Sequence, residues 1–111
     1  MTTTQKNFVC KNIDEVVIPK KIDGYMVTGL GEAAFAYHDE LRKVTVPYTV
    51  KKLELAVFGS CPNLKSVIFL ADVQDIDEWA FLDYKGTIVA TKESKVWKCA
   101  KKQMLKLKEK D

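Results

Sequence analysis

"LRKVTVPYTVKKLELAVFGSC" (residues 41–61) and "LKSVIFLADVQDIDEWAFLDY" (residues 64–84) superimpose position by position at an offset of 23 residues. Leu41 falls on Leu64, Val44 on Val67, Val46 on Phe69, Val50 on Val73, Leu53 on Ile76 and Phe58 on Phe81. The interval reaches back to Leu30 and Phe35 as well. Apolar positions that return at one fixed interval mark a repeat architecture, in which a supersecondary unit stacks on copies of itself. The upstream stretch "IDEVVIPKKIDGYMVTGLGEAAFAYH" (residues 13–38) joins this register once five extra residues around "GYMVT" are allowed. Ile13, Val16, Ile18, Pro19 and Ile22 then stand where Leu41, Val44, Val46, Pro47 and Val50 do.

Within one unit, the alternation Val44-Thr45-Val46 is a short strand with both valines on one face. Proline directly after it, at Pro19 and Pro47, removes a ladder donor and stops the strand. The chain then turns through Val50 and Leu53, and "ELAVFGSC" predicts a short helical turn that brings Phe58 inward. One such coil cannot bury its apolar side, but a pile of them can, with a parallel strand ladder along one side.

The pattern V-x-I-P-x-x-I followed by A-F-x-x-C-x-x-L, in "VTVPYTVKKLELAVFGSCPNLKSV" above all, resembles the BspA-type leucine-rich repeat over about residues 13–100. Leu70 replaces the proline, Tyr84 the cysteine and Thr87 the leucine, so the last coil departs from the pattern and reads as a cap. The resemblance implies an α/β solenoid with protein-binding roles, including adhesion at bacterial surfaces, and no catalysis. The expected organisation is a single domain: a partial coil over 1–12, repeats over 13–41, 42–64 and 65–84, a degenerate strand over 85–91, and a basic capping helix and tail over 92–111.

Charge is distributed unevenly along this plan. Residues 92–111 hold eight lysines against Glu93, Glu109 and Asp111, while residues 1–91 are slightly acidic. In "SKVWKCAKKQMLKLKEK", Val96, Trp97, Ala100, Met104 and Leu107 recur at steps of three and four, as on one face of an amphipathic helix. Ser94 is its expected N-cap. Lys95, Lys98, Lys101, Lys102, Lys106 and Lys108 take the opposite face. That face has an alternative reading, as an electrostatic surface for nucleic acid or an anionic membrane. The absence of arginine and of interleaved stacking aromatics weighs against it.

His38, the single histidine, lies beside Asp39 and Glu40 and invites a catalytic reading. It stands three residues after Phe35, however, where Cys61 follows Phe58 and Tyr84 follows Phe81, and Cys10 precedes Ile13 as His38 precedes Leu41. A slot that accepts histidine, cysteine and tyrosine is a packing slot, and no nucleophile or second base accompanies it. Cys10 in that slot implies a chain beginning partway through a coil. The three cysteines make no even disulfide set and no C-x-x-C metal pair, so they read as reduced thiols. The acidic run "DVQDIDEWAFLD" lacks the glycine and terminal glutamate of a calcium loop. The glycines form no phosphate-binding loop. No metal, cofactor or small-molecule substrate is expected.

A partner surface is expected along the strand ladder, where the residue between two inward anchors points outward. Successive coils stack Val17, Thr45, Ile68 and Val89 into one column, flanked by Lys43 and Tyr48 among others. Three aliphatic residues on a solvent-facing ladder exceed what solubility favours, although β-branched residues also suit strands for their own sake. The expected function is a non-enzymatic protein-binding module, as a small host- or phage-encoded effector or inhibitor or as a fragment of a surface protein. Self-association through uncapped coil edges is a further reading. No stretch approaches the roughly 18 apolar residues of a membrane span, and "MTTTQKNFVC" lacks the pattern of a secretory signal, so the expected location is cytoplasmic.

Overall fold

The protein is described by a computed structural model in which residues 2–3, 15–32, 34–35, 40–59 and 61–110 are placed. The strands are β1 (Thr2–Thr3), β2 (Glu15–Val17), β3 (Lys21–Ile22), β4 (Tyr25–Met26), β5 (Gly29–Leu30), β6 (Lys43–Val46), β7 (Lys52–Leu53), β8 (Ser66–Phe69), β9 (Asp75–Ile76) and β10 (Thr87–Ala90). They are followed by helix α1 (Lys95–Lys102) and strand β11 (Lys106–Glu109). Two parallel ladders run through the stack, β11-β10-β8-β6-β2 and β1-β5-β7-β9. The architecture is the solenoid that the repeat predicts.

Register follows the repeat. In the longer ladder Val16 pairs with Val44, Val44 with Val67, Val67 with Ile88 and Ile88 with Leu107. Val16, Val44, Val67 and Ile88 are all buried, so one inner file of aliphatic side chains crosses every coil. In the shorter ladder Leu30 pairs with Leu53 and Leu53 with Ile76. This second ladder was not expected from the sequence, because strands of two residues are too short to show an alternating pattern.

Between the ladders the phenylalanines form a third file. Phe58 stacks on Phe35 with ring centroids 5.9 Å apart and on Phe81 at 6.2 Å. Phe69 meets Phe58 and Phe81 edge-on, at 6.3 and 6.4 Å. The "ELAVFGSC" segment delivers Phe58 through tight turns and not through a helix: the Gly59 N–H donates to the Ala56 carbonyl at 3.0 Å, and Ala56 has φ 51°. The extra residues around "GYMVT" make a hairpin, β3 against β4, turned by Asp23 and Gly24 with φ 52° and 83°. Two positive φ values in a two-residue loop match the right-handed twist of the strands.

The C-terminal region differs from the expected long helix. Ser94 is the N-cap, its hydroxyl accepting the Trp97 N–H at 3.1 Å, and Val96 and Ala100 are buried. The helix nevertheless ends at Lys102. The Met104 N–H donates to the Lys101 carbonyl at 3.0 Å and the Leu105 N–H to the Ala100 carbonyl at 3.1 Å. Met104 itself sits at φ 61°, which completes a left-handed C-terminal motif with methionine where glycine is usual. Met104 is therefore 91% exposed and leaves the apolar stripe on which the sequence put it. Leu107 and Lys106 belong to β11, not to the helix. Residues 106–109 add a full strand beside β10, so the expected tail is one more rung of the ladder, and the degenerate strand over 85–91 is an interior strand.

Asp72 supplies a second N-terminal contact to the helix. Its carboxylate accepts the backbone N–H of Lys95 at 3.0 Å and of Val96 at 3.1 Å. A carboxylate there satisfies orphan donors and faces the positive end of the helix dipole. The helix in turn covers the open end of the shorter ladder. Lys95 Nζ donates to the Gln74 carbonyl at 2.9 Å and Gln103 Nε2 to the Glu78 carbonyl at 3.4 Å, on either side of β9.

Two outcomes are expected in urea unfolding of the full chain. Met104→Gly relieves a left-handed residue and raises stability by roughly 1 kcal/mol. Asp72→Ala removes the remote cap and lowers stability by about 1 kcal/mol. An unchanged midpoint for the first would mean that residue 104 is not left-handed, and for the second that Asp72 does not hold the helix.

Candidate interaction surface

The outward positions of the longer ladder form two parallel columns. Val17 pairs with Thr45, Thr45 with Ile68, Ile68 with Val89 and Val89 with Lys108. Beside it, Glu15 pairs with Lys43, Lys43 with Ser66, Ser66 with Thr87 and Thr87 with Lys106. Val17 is 71% exposed, while Thr45, Ile68 and Val89 are half-buried by their neighbours. Adjacent strands lie about 4.8 Å apart, so the five-strand face is roughly 19 Å long. Its aliphatic column ends in Lys108, and its polar column in Lys106.

Charged contacts hold the rim of this face. Lys43 Nζ lies 3.5 Å from Glu15 Oε1, an exposed pair worth at most about 1 kcal/mol. Just beyond β6, Lys20 Nζ sits 4.9 Å from the centroid of the Tyr48 ring. Tyr48 is 51% exposed, so it stays accessible beside the end of β6. The sequence brings Val17, Thr45, Ile68 and Val89 into one file, as their spacing predicts, with Lys43 in the adjacent file. It does not bring Lys106 onto a helix face with Lys95, Lys98, Lys101 and Lys102. Those four are exposed on or at the end of α1; Lys106 is on the sheet. Period-two alternation in Leu105-Lys106-Leu107-Lys108 was the signal for this.

Sequence reasoning also missed the exposed apolar residues of the hairpin, Tyr25 and Met26, and of the turn after β9, Trp79 and Leu82. Among the described residues no group of three or more histidine, cysteine, aspartate or glutamate side chains is placed to hold a metal ion. No helix of the described residues is long and apolar enough to cross a membrane.

The slot three residues after Phe58 and after Phe81 is a buried one. Cys61 and Tyr84 both lie in the core, and the Cys61 thiol donates to the Phe35 carbonyl at 2.6 Å. The Tyr84 hydroxyl donates to the Thr87 carbonyl at 3.3 Å. His38, Asp39 and Cys10 lie outside the described residues. Burial pushes the Tyr84 phenol well above its ordinary value, with Cys61 adding to the shift. Above about pH 10 the unfolded chain releases this proton and the folded one retains it, so stability falls as pH rises. Tyr84→Phe is expected to flatten the loss of stability between pH 9.5 and 11.5, about the phenol pKa, in urea titrations. An unaltered slope in that variant would assign the loss to other groups.

The sequence model of the BspA type leucine rich repeat region matches residues 2–98 in six copies. A search of the curated proteins found no match, and neither did a search of the solved structures. Solenoids of this family are typically non-enzymatic and serve protein interaction. With the repeat register, the two parallel ladders and the matched span in agreement, the chain belongs to the BspA-type leucine-rich repeat family.

Proposed function

We propose that the chain is a non-catalytic binding module that takes a protein partner on the outward face of its longer ladder, at Val17, Lys43, Thr45, Tyr48, Ile68 and Val89. The observation that carries this reading is the largely aliphatic outward column of Val17, Thr45, Ile68 and Val89, headed by a valine that is 71% exposed. Apolar side chains held in water on a rigid scaffold gain free energy when a partner covers them, at about 25 cal/mol for each Å². The rigidity matters equally. Residues fixed by a hydrogen-bonded ladder lose little conformational freedom on binding.

The lysine-rich alternative, contact with nucleic acid or an anionic membrane through α1, is weakened by the division of the lysines. Lys95, Lys98, Lys101 and Lys102 are separated from Lys106 and Lys108 by a chain reversal, so no single helix face carries them all.

Capture from a cell extract with three immobilised forms tests the reading: the unaltered chain, Thr45→Glu/Ile68→Glu, and Lys95→Glu/Lys98→Glu/Lys102→Glu. A protein retained by the first and third forms but not by the second is the expected outcome, with retention persisting at 0.3 M salt, roughly twice physiological ionic strength. Equal melting temperatures guard against unfolding. Retention lost only in the helix variant, or lost with salt, would move the function to the lysines.

A further inference from the structure

Four of the five strands of the longer ladder begin on a row of cations. Arg42 precedes β6, Lys65 precedes β8, Lys85 stands shortly before β10, and Lys106 opens β11. Three of these, Lys65, Lys85 and Lys106, border a recess of about 420 Å³ at the foot of β8, β10 and β11, whose wall includes Thr87 and Leu64. Among the described residues that line it, Asp83 is the one carboxylate against three lysines, an excess of two positive charges. Thr87 is hydrogen-bonded in place, its N–H donating to the Lys65 carbonyl at 2.8 Å. The adjoining Gly86 admits no side chain: a Cβ there would overlap the Tyr84 ring and approach the Leu64 carbonyl to 2.7 Å.

The recess also has a direction. Thr87 and Val89 lie on the same face of β10, and Lys106 and Lys108 on the same face of β11, because outward positions alternate along a strand. A group seated among the lysines is therefore one residue pair away from the aliphatic column. A concave site with an excess of one sign of charge concentrates counter-charge and orients what approaches it.

We infer that this recess receives the carboxylates of an acidic segment of the protein partner, fixing its register while its apolar residues cover Ile68 and Val89; the inference rests on the strand-face reading above. Charge complementarity selects the occupant, and the neighbouring aliphatic column selects a polypeptide over a small free anion.

The test is an amide NMR titration of the full chain at low ionic strength, with hexaglutamate as one probe and inorganic phosphate as the other. Saturating shifts with hexaglutamate are expected at Gly86, Thr87 and Lys106. Affinity should fall roughly tenfold in Lys65→Gln/Lys106→Gln, since removing two of three converging charges removes most of the attraction, and change less than twofold in Lys95→Gln/Lys102→Gln. The neutral glutamines keep the aliphatic stems, and a thermal melt of each variant checks the fold. Three results would overturn the inference: shifts centred on α1, equal weakening in both variants, or phosphate saturating the recess as tightly as hexaglutamate does. The last would make it a small-anion site. If hexaglutamate binds as expected while Thr45→Glu/Ile68→Glu still retains the captured partner, the strand-face reading fails and the recess stands alone as an anion site. If capture behaves as proposed but hexaglutamate does not seat in the recess, only the present inference is lost.

Discussion

Contact between one coil and the next is the constraint on which everything else in this molecule depends. No single coil encloses its own apolar side chains; Phe58 is covered by Phe35 on one side and Phe81 on the other. Aromatic pairs of this kind contribute roughly 1 kcal/mol beyond simple burial, and burying each ring contributes about 2 to 3 kcal/mol more. Those terms exist only between neighbours, so stability in such a stack is close to a sum over interfaces. The repeat of 23 residues is the sequence form of that requirement, because a coil one residue longer would carry its phenylalanine out of the file. Where extra residues do occur, the Asp23-Gly24 hairpin loops them out before the chain re-enters register at Val27 and Leu30, both fully buried.

A stack held by neighbour contacts must end, and the two ladders end differently at the C-terminal side. The shorter ladder stops at β9, where α1 lies across it and gives side-chain donors to the carbonyls of Gln74 and Glu78. The longer ladder gains β11 instead. Its outward lysines, Lys106 and Lys108, set positive charge along the last strand, which discourages further edge-to-edge pairing. One connection, the left-handed Met104, makes both endings from 15 residues (95–109). Asp72 ties the arrangement to the preceding coil by holding the start of α1.

This explains which features were legible in the sequence. The inner files were, since each anchor is apolar at a constant interval, and the outward column followed by parity alone. The end of the helix was not. Val96, Ala100, Met104 and Leu107 fit a helical stripe, and nothing at position 104 announces a stop, because methionine rarely takes φ 61° and glycine usually does so. The competing alternation of Leu105, Lys106, Leu107 and Lys108 was present but short, and pairing with β10 decided between the two patterns. Asp72 was illegible for another reason. Its partners, the amides of Lys95 and Val96, lie 23 and 24 residues further along, and a carboxylate in an acidic run carries no local sign of what it will cap.

A ladder of this kind produces a surface more readily than a pocket. Every inward position is spent on the neighbouring coil, so the chemistry free for other molecules is whatever the outward parity selects. On this chain that selection grades along the stack: Glu15 and Val17 on the first strand of the longer ladder, lysine with threonine and serine with isoleucine on the next two, then Thr87 and Val89, and two lysines on the last. Such a gradient carries direction as well as affinity. A partner with apolar side chains alone could slide by a rung at little loss, since the column offers similar contacts at each step. Charge placed at one end removes that degeneracy, because only one register brings opposite charge onto the lysines. Like charges out of register are disfavoured, so on the proposed reading the basic end of the ladder would do for binding what the phenylalanine file does for folding, and hold a repeating structure to a single alignment.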